Sequence, residues 1–261
     1  MNITGTLDST VKRERVLIIS ALTVLSILAW VFLIYQAWGM SHMDQVSMLM
    51  PDTHRWRPFD LFLLFVMWAV MMVAMMVPSA APMILVFVSV NRQRHQNEDP
   101  FVPAWIFVLG HLVVWVVFSI LATLGQWGLH IMELLSPMME STSPLFGGFL
   151  LIGAGVFQFA PAKGVCLKHC RSPFDFIMMS WQEGRWGAFM MGLKHGAFCT
   201  GCCWMLMALL FVVGVMNLTW VILISIFVLV EKVASKGLWI SRLSGGLLIA
   251  GGIWMALKSY Y

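Results

Sequence analysis

Residues 16–38 read VLIISALTVLSILAWVFLIYQAW, a run without a single charged side chain. At about 1.5 Å per residue, a helix of that length covers the ~30 Å hydrocarbon core of a bilayer. Comparable apolar runs recur at 59–90, 103–126, 145–162, 187–215, 218–235 and 238–257. Backbone polar groups in lipid must be satisfied within their own segment, so such runs fold as helices. The sequence therefore predicts an all-α, polytopic transmembrane helical bundle of about seven spans. Residues 1–15 read as a cytoplasmic N-terminal segment, 16–257 as a single transmembrane domain and 258–261 as a tail. The first run is too long for a cleavable signal peptide and lacks a small-residue cleavage site. The formal charge of +4 resides in the connections between spans, so it does not point to a nucleic-acid partner.

Orientation follows from the distribution of Lys and Arg. Lys12, Arg13 and Arg15 precede the first span, and Arg92 and Arg94 follow the second. Lys163, Lys168, Arg171 and Arg185 lie between the fourth and fifth, and Lys232, Lys236 and Arg242 between the sixth and seventh. The other side carries only Arg55, Arg57 and Lys258. This bias predicts a cytoplasmic N-terminus and an outward C-terminus. Pro78 and Pro82 are expected to break or kink the second span. Residues 163–186 are expected to form a cytoplasmic Cys/His loop with an interfacial helix, because Ser172-Pro173-Phe174-Asp175 reads as an N-cap, a proline at N1 and an early acid. Gly147, Gly148, Gly153 and Gly155, with Gly245, Gly246, Gly251 and Gly252, offer small surfaces for helix packing.

The chemistry concentrates in His195-Gly196-Ala197-Phe198-Cys199-Thr200-Gly201-Cys202-Cys203. On a helix His195, Cys199 and Cys202 fall at i, i+4 and i+7 on one face, with Cys203 beside them. Thiolate plus imidazole is the donor set that selects Cu(I), Zn(II) or iron–sulfur clusters. The structural alternative is cysteines acting as small hydrophobes and a histidine bonded to a carbonyl. Cys166, His169 and Cys170 form a second group just past the fourth span, leaving open one shared site or two in series. Met67, Met71, Met72, Met75 and Met76 line the second span, with Met83 beyond, either as packing or as soft ligands. Met40, His42, Met43, Met48, Met50 and His54 lie in or beside the first outer loop, where metal capture is conceivable. Lys194 and Glu231 are expected to form an ion pair, and Lys232 must likewise face protein or water. His111 reads as a hydrogen-bonded packing histidine.

Several blocks together resemble a bacterial family of predicted metal-binding integral membrane proteins, a domain of unknown function. They are Met71-Met72-Val73-Ala74-Met75-Met76-Val77-Pro78, Cys166-Leu167-Lys168-His169-Cys170-Arg171-Ser172-Pro173, Gly192-Leu193-Lys194-His195-Gly196, Cys199, Gly201-Cys202-Cys203-Trp204, Gly214-Val215-Met216-Asn217 and Glu231-Lys232. Lys194 stands where that family usually holds Arg, keeping the charge but losing the planar fork. The resemblance implies a multi-pass protein of the bacterial inner membrane with a metal-related role.

The expected function is binding of a soft metal, copper(I) first, for transport, storage or delivery to a membrane metalloenzyme or exchange with a metallochaperone. Zinc or mercury are the alternative metals, or no metal at all. The alternative functions are a membrane thiol–disulfide oxidoreductase using Cys199 and Cys202, or a structural subunit with a zinc/thiol staple. No nucleotide-binding loop and no nucleophile or acid–base pair arranged for catalysis is visible, so an enzyme is not the leading expectation.

Overall fold

The structure is a computed structural model that describes residues 3–41, 57–95, 102–135, 143–234 and 236–258. Among them the chain forms α1 (Ile3–Ser41), α2 (Pro58–His95), α3 (Ala104–Ile131), α4 (Pro144–Phe159) and α5 (Pro161–Arg171). It continues through α6 (Pro173–Ser180), α7 (Gly184–Ala208), α8 (Leu210–Val213), α9 (Leu218–Val233) and α10 (Gly237–Lys258). The all-α expectation holds. Five segments are long and apolar enough to cross a membrane: α1, α2, α3, α7 with α8, and α10. A sixth is reached only if α4 and α5, bent by 65° at their junction, count as one. Helix α9 has 16 residues, about 24 Å, which falls short by length alone. Leu17, Leu28 and Trp38 on α1 and Leu243, Leu247 and Trp254 on α10 face outward, an apolar surface compatible with membrane insertion.

The run at 145–162 does not form one straight span, and Pro161 is the reason. The residue before a proline is pushed out of the helical region, and Ala160 accordingly adopts φ −63° and ψ 133°. Pro161 then opens α5 at N1, where its missing N–H costs nothing. The same device recurs at Ser172 and Pro173, which opens α6. Ser172 occupies the N-cap as expected, although its side chain makes no capping bond. By contrast α2 runs as one helix through Pro78 and Pro82, so the expected break is absent. Surrounding helices hold the backbone where each proline removes one bond.

The bent leg α4–α5–α6 descends antiparallel to α7. A Cβ on Gly153 would stand 3.2 Å from the Met205 methyl, and one on Gly201 would stand 3.0 Å from Cys166 Sγ. Further along, His169 stacks on Phe198 with ring centroids 4.2 Å apart, and Phe176 meets His195 at 5.8 Å. Cys166, His169 and Cys170 therefore do not lie in a loop beyond the fourth span. They sit on a helix packed against the middle of α7.

Glycines set two of the helix contacts. Cβ atoms on Gly110 and Gly192 would collide with the backbone of the facing helix, so α3 and α7 meet main chain to main chain. Helices α4 and α10 do the same, with a Cβ on Gly148 only 2.8 Å from the Gly252 carbonyl and one on Gly155 2.8 Å from that of Gly245. Nothing lies within 4 Å of a Cβ on Gly246 or Gly251, so those two do not contribute.

Charge fixes α5. Lys163 Nζ lies 2.7 Å from Glu231 Oε1 on α9, with both side chains 1% exposed. Lys163 also donates to the Gln158 carboxamide oxygen, which accepts from Ser241 Oγ of α10 at 2.7 Å. At the far end of α5, Arg171 Nη2 donates to the Ala234 carbonyl at 2.6 Å. Four segments are joined through this network.

The packing and the ion pair each have measurable consequences. Gly192→Val forces α3 from α7 and lowers stability by about 1–3 kcal/mol, the range for overpacking, in thermal unfolding in detergent. Gly251→Ala, facing open space, leaves the melting temperature unchanged or slightly raised. Lys163→Met or Glu231→Gln alone costs about 3–5 kcal/mol, because each strands a buried polar or charged partner. The double variant Lys163→Met/Glu231→Leu recovers most of that loss, and a double-mutant cycle measures it.

Candidate metal centre

On α7 His195, Cys199, Cys202 and Cys203 are all buried on one side of the helix. Cys202 and Cys203 donate their S–H groups to the Cys199 carbonyl at 3.0 and 2.9 Å. From α5, Cys170 packs against the core cluster that holds Cys199, Cys202 and Cys203. Four thiols from two helices thus converge, with Cys166 alongside at Gly201. All five cysteines are free.

Two further groups close the cluster. Lys232 Nζ lies 3.0 Å from Cys199 Sγ and 3.0 Å from Ser79 Oγ, so a buried ammonium stands directly against the thiols. Cys203 Sγ is 3.9 Å from Met76 Sδ of α2. Met67, Met71, Met72 and Met75 are buried in the same core cluster as the three α7 cysteines, whereas Met83 packs in the neighbouring one. Of the methionine stripe, Met76 is the residue in thiol contact. Among the described residues, no three or more His, Cys, Asp or Glu side chains already stand in a chelating array. The S–H groups of Cys202 and Cys203 are turned onto the Cys199 carbonyl, an arrangement that χ1 rotations would have to open.

Several expectations change here. Glu231 pairs with Lys163 and not with Lys194, which is exposed. The reason is the bend at Pro161, which brings Lys163 into the interior. His169 Nδ1 bonds the Val165 carbonyl at 2.8 Å and its ring lies on Phe198. His111 is buried as a packing histidine, but among the described residues neither ring nitrogen has a hydrogen-bond partner. His195 is in the same condition, and the two rings lie 5.0 Å apart. The expected capture residues His42, Met43, Met48, Met50 and His54 lie outside the described residues. So does the side chain of Met40.

Sequence reasoning did not assign Lys232 to the thiols, nor Ser79 beside it. The available signal was a lysine next to a glutamate near the end of an apolar run, a cost that only a specific partner offsets. Chemically, the cluster offers several soft sulfur donors, one thioether and a compensating positive charge in a water-poor interior. That donor set fits a monovalent soft cation better than a hard one.

A family model described as PpoB2, copper chaperone, matches residues 65–255, a stretch that contains every residue of the cluster. Neither the curated proteins nor the solved structures yield a match. With well over half of its length matched, the chain belongs to the PpoB2 copper-chaperone family.

Proposed function

We propose that the protein is a membrane-embedded carrier that takes Cu(I) onto two thiols of the Cys170, Cys199 and Cys202 group and passes it to a partner metalloenzyme or metallochaperone. The observation that carries this reading is the packing of α5 and α7 thiols into one core cluster, with Lys232 against Cys199. Two thiols that bind Cu(I) release two protons and form a unit with one net negative charge. The Lys232 ammonium, 3.0 Å from Cys199 Sγ, makes the loaded site neutral overall. A charge-neutral product is what burial favours, since an uncompensated ion in a low-dielectric interior is costly.

The buried methionines supply an approach. Met71, Met72, Met75 and Met76 run along α2 to Cys203, and thioethers bind Cu(I) without holding hard ions. Movement between sites requires several moderate sites more than one very tight one. In the bacterial inner membrane, α1, α2, α3, the leg α4–α6, α7 with α8, α9 and α10 would make seven spans. The Lys/Arg bias supports a cytoplasmic N-terminus.

The test is anaerobic purification, with copper, zinc and free thiols quantified for the wild type and Cys199→Ser/Cys202→Ser. Sulfur-ligated copper in the wild type and its loss in the variant is the expected result. A metal-free protein with a reducible Cys199–Cys202 disulfide would replace this reading with thiol–disulfide exchange. One zinc that never exchanges would make the cluster a staple. Lys232→Met is expected to lower copper retention at least tenfold by leaving the loaded site charged, read by competition with a Cu(I) chelator.

A further inference from the structure

Helices α3 and α7 bring two histidines together in a way the thiol cluster does not use. His111 is 1% exposed and His195 3%. Among the described residues, neither Nδ1 nor Nε2 of either ring has a hydrogen-bond partner, so two donors and two acceptors are buried unsatisfied. Buried polar side chains are otherwise paired almost without exception, and an unpaired one calls for an explanation.

The juxtaposition is built by the backbone. Gly110 and Gly192 let α3 and α7 touch, and a Cβ on Gly196 would stand 3.1 Å from the His111 carbonyl. The two rings are held with centroids 5.0 Å apart and planes 23° from parallel. Phe107 stacks on His195 at 6.0 Å and Phe176 meets it edge-on at 5.8 Å. Those aromatic walls offer the ring nitrogens no hydrogen-bonding group. The χ2 torsion of histidine is broad, so rotation about it can turn one nitrogen of each ring toward a common point.

We propose that His111 and His195 form a bis-imidazole Cu(I) station, separate from the thiols and one helical turn along α7 from Cys199. This inference rests on the Cu(I) carrier reading and extends it to a second site. Two ligands are too few for zinc, which takes four in structural sites. Among the described residues no third His, Cys, Asp or Glu joins the pair. Cu(I) accepts two-coordination, and neutral imidazoles are less strongly binding donors than thiolates. A station of that kind suits the hand-off end of the route, with the ion held loosely enough to leave. Met191, buried one turn further toward the start of α7, continues the same face.

The experiment titrates full-length protein with Cu(I) anaerobically against a competing chelator and reads ligand type by X-ray absorption. The wild type is expected to bind a sulfur-ligated and a nitrogen-ligated equivalent. His111→Phe or His195→Phe loses the nitrogen-ligated one and keeps the sulfur-ligated one, which also reports that the fold survives. Cys199→Ser/Cys202→Ser shows the converse and serves as the independent check if a histidine variant fails to fold. Nitrogen-ligated copper that persists in His111→Phe overturns the station, as does its absence from the thiol variant. A wild type that binds through sulfur alone overturns the station and leaves the carrier reading standing. One that binds no Cu(I) overturns both.

Discussion

The ion pair between Lys163 and Glu231 allows a bent, charged helix to lie against the middle of α7. At 2.7 Å, with both partners essentially sealed from solvent, its attraction acts in a medium that screens charge poorly. Desolvation of the two groups opposes it with comparable force, so the pair is a positional device more than a source of stability. Its extra bonds matter for that reason. Gln158 accepts from Lys163 and from Ser241, which ties the charge to α4 and α10 as well. With Arg171 held by the Ala234 carbonyl at the other end, α5 is fastened at both termini. Cys170 reaches the α7 thiols because α5 is held there.

The class of fold was open to sequence reading because long uncharged runs have one structural solution in lipid. The thiol face of α7 was equally open, since a 3.6-residue period fixes which side chains share a side. Periodicity does not say what lies opposite. The run 145–162 is apolar throughout, so its composition hid the turn that Pro161 imposes. That single misreading placed Cys166, His169 and Cys170 in a loop beyond the fourth span and passed over Lys163 as the partner of Glu231. Lysine counts carry the same weakness. Lys163 and Lys232 were read as cytoplasmic markers, yet both are buried and engaged with other helices. The bias that orients membrane proteins assumes solvated loop charges, and a buried lysine contributes nothing to it. His111 was misjudged because a histidine on an apolar face has the same sequence signature whether its partner is a carbonyl, a water or a second ring.

Membership of a copper-chaperone family and a thiol cluster with its own ammonium point in one chemical direction. The donors are divided between α5 and α7, so the cluster's geometry depends on how α5 docks. Prolines at both ends make α5 a segment with its own axis. A ligand set shared between two such bodies can be rearranged by small motions of one of them, whereas a set on a single helix is fixed by its backbone.

The order of residues along the chain gives the Lys163–Glu231 pair a meaning for biogenesis. Lys163 leaves the ribosome well before α9 exists, and Cys170 well before Lys232. Until α9 is made, Lys163 has no buried carboxylate to pair with, and the cost of burying its charge opposes the docking of α5. Assembly of the sulfur cluster beside Lys232 is thus a late event, completed only once α9 has been made.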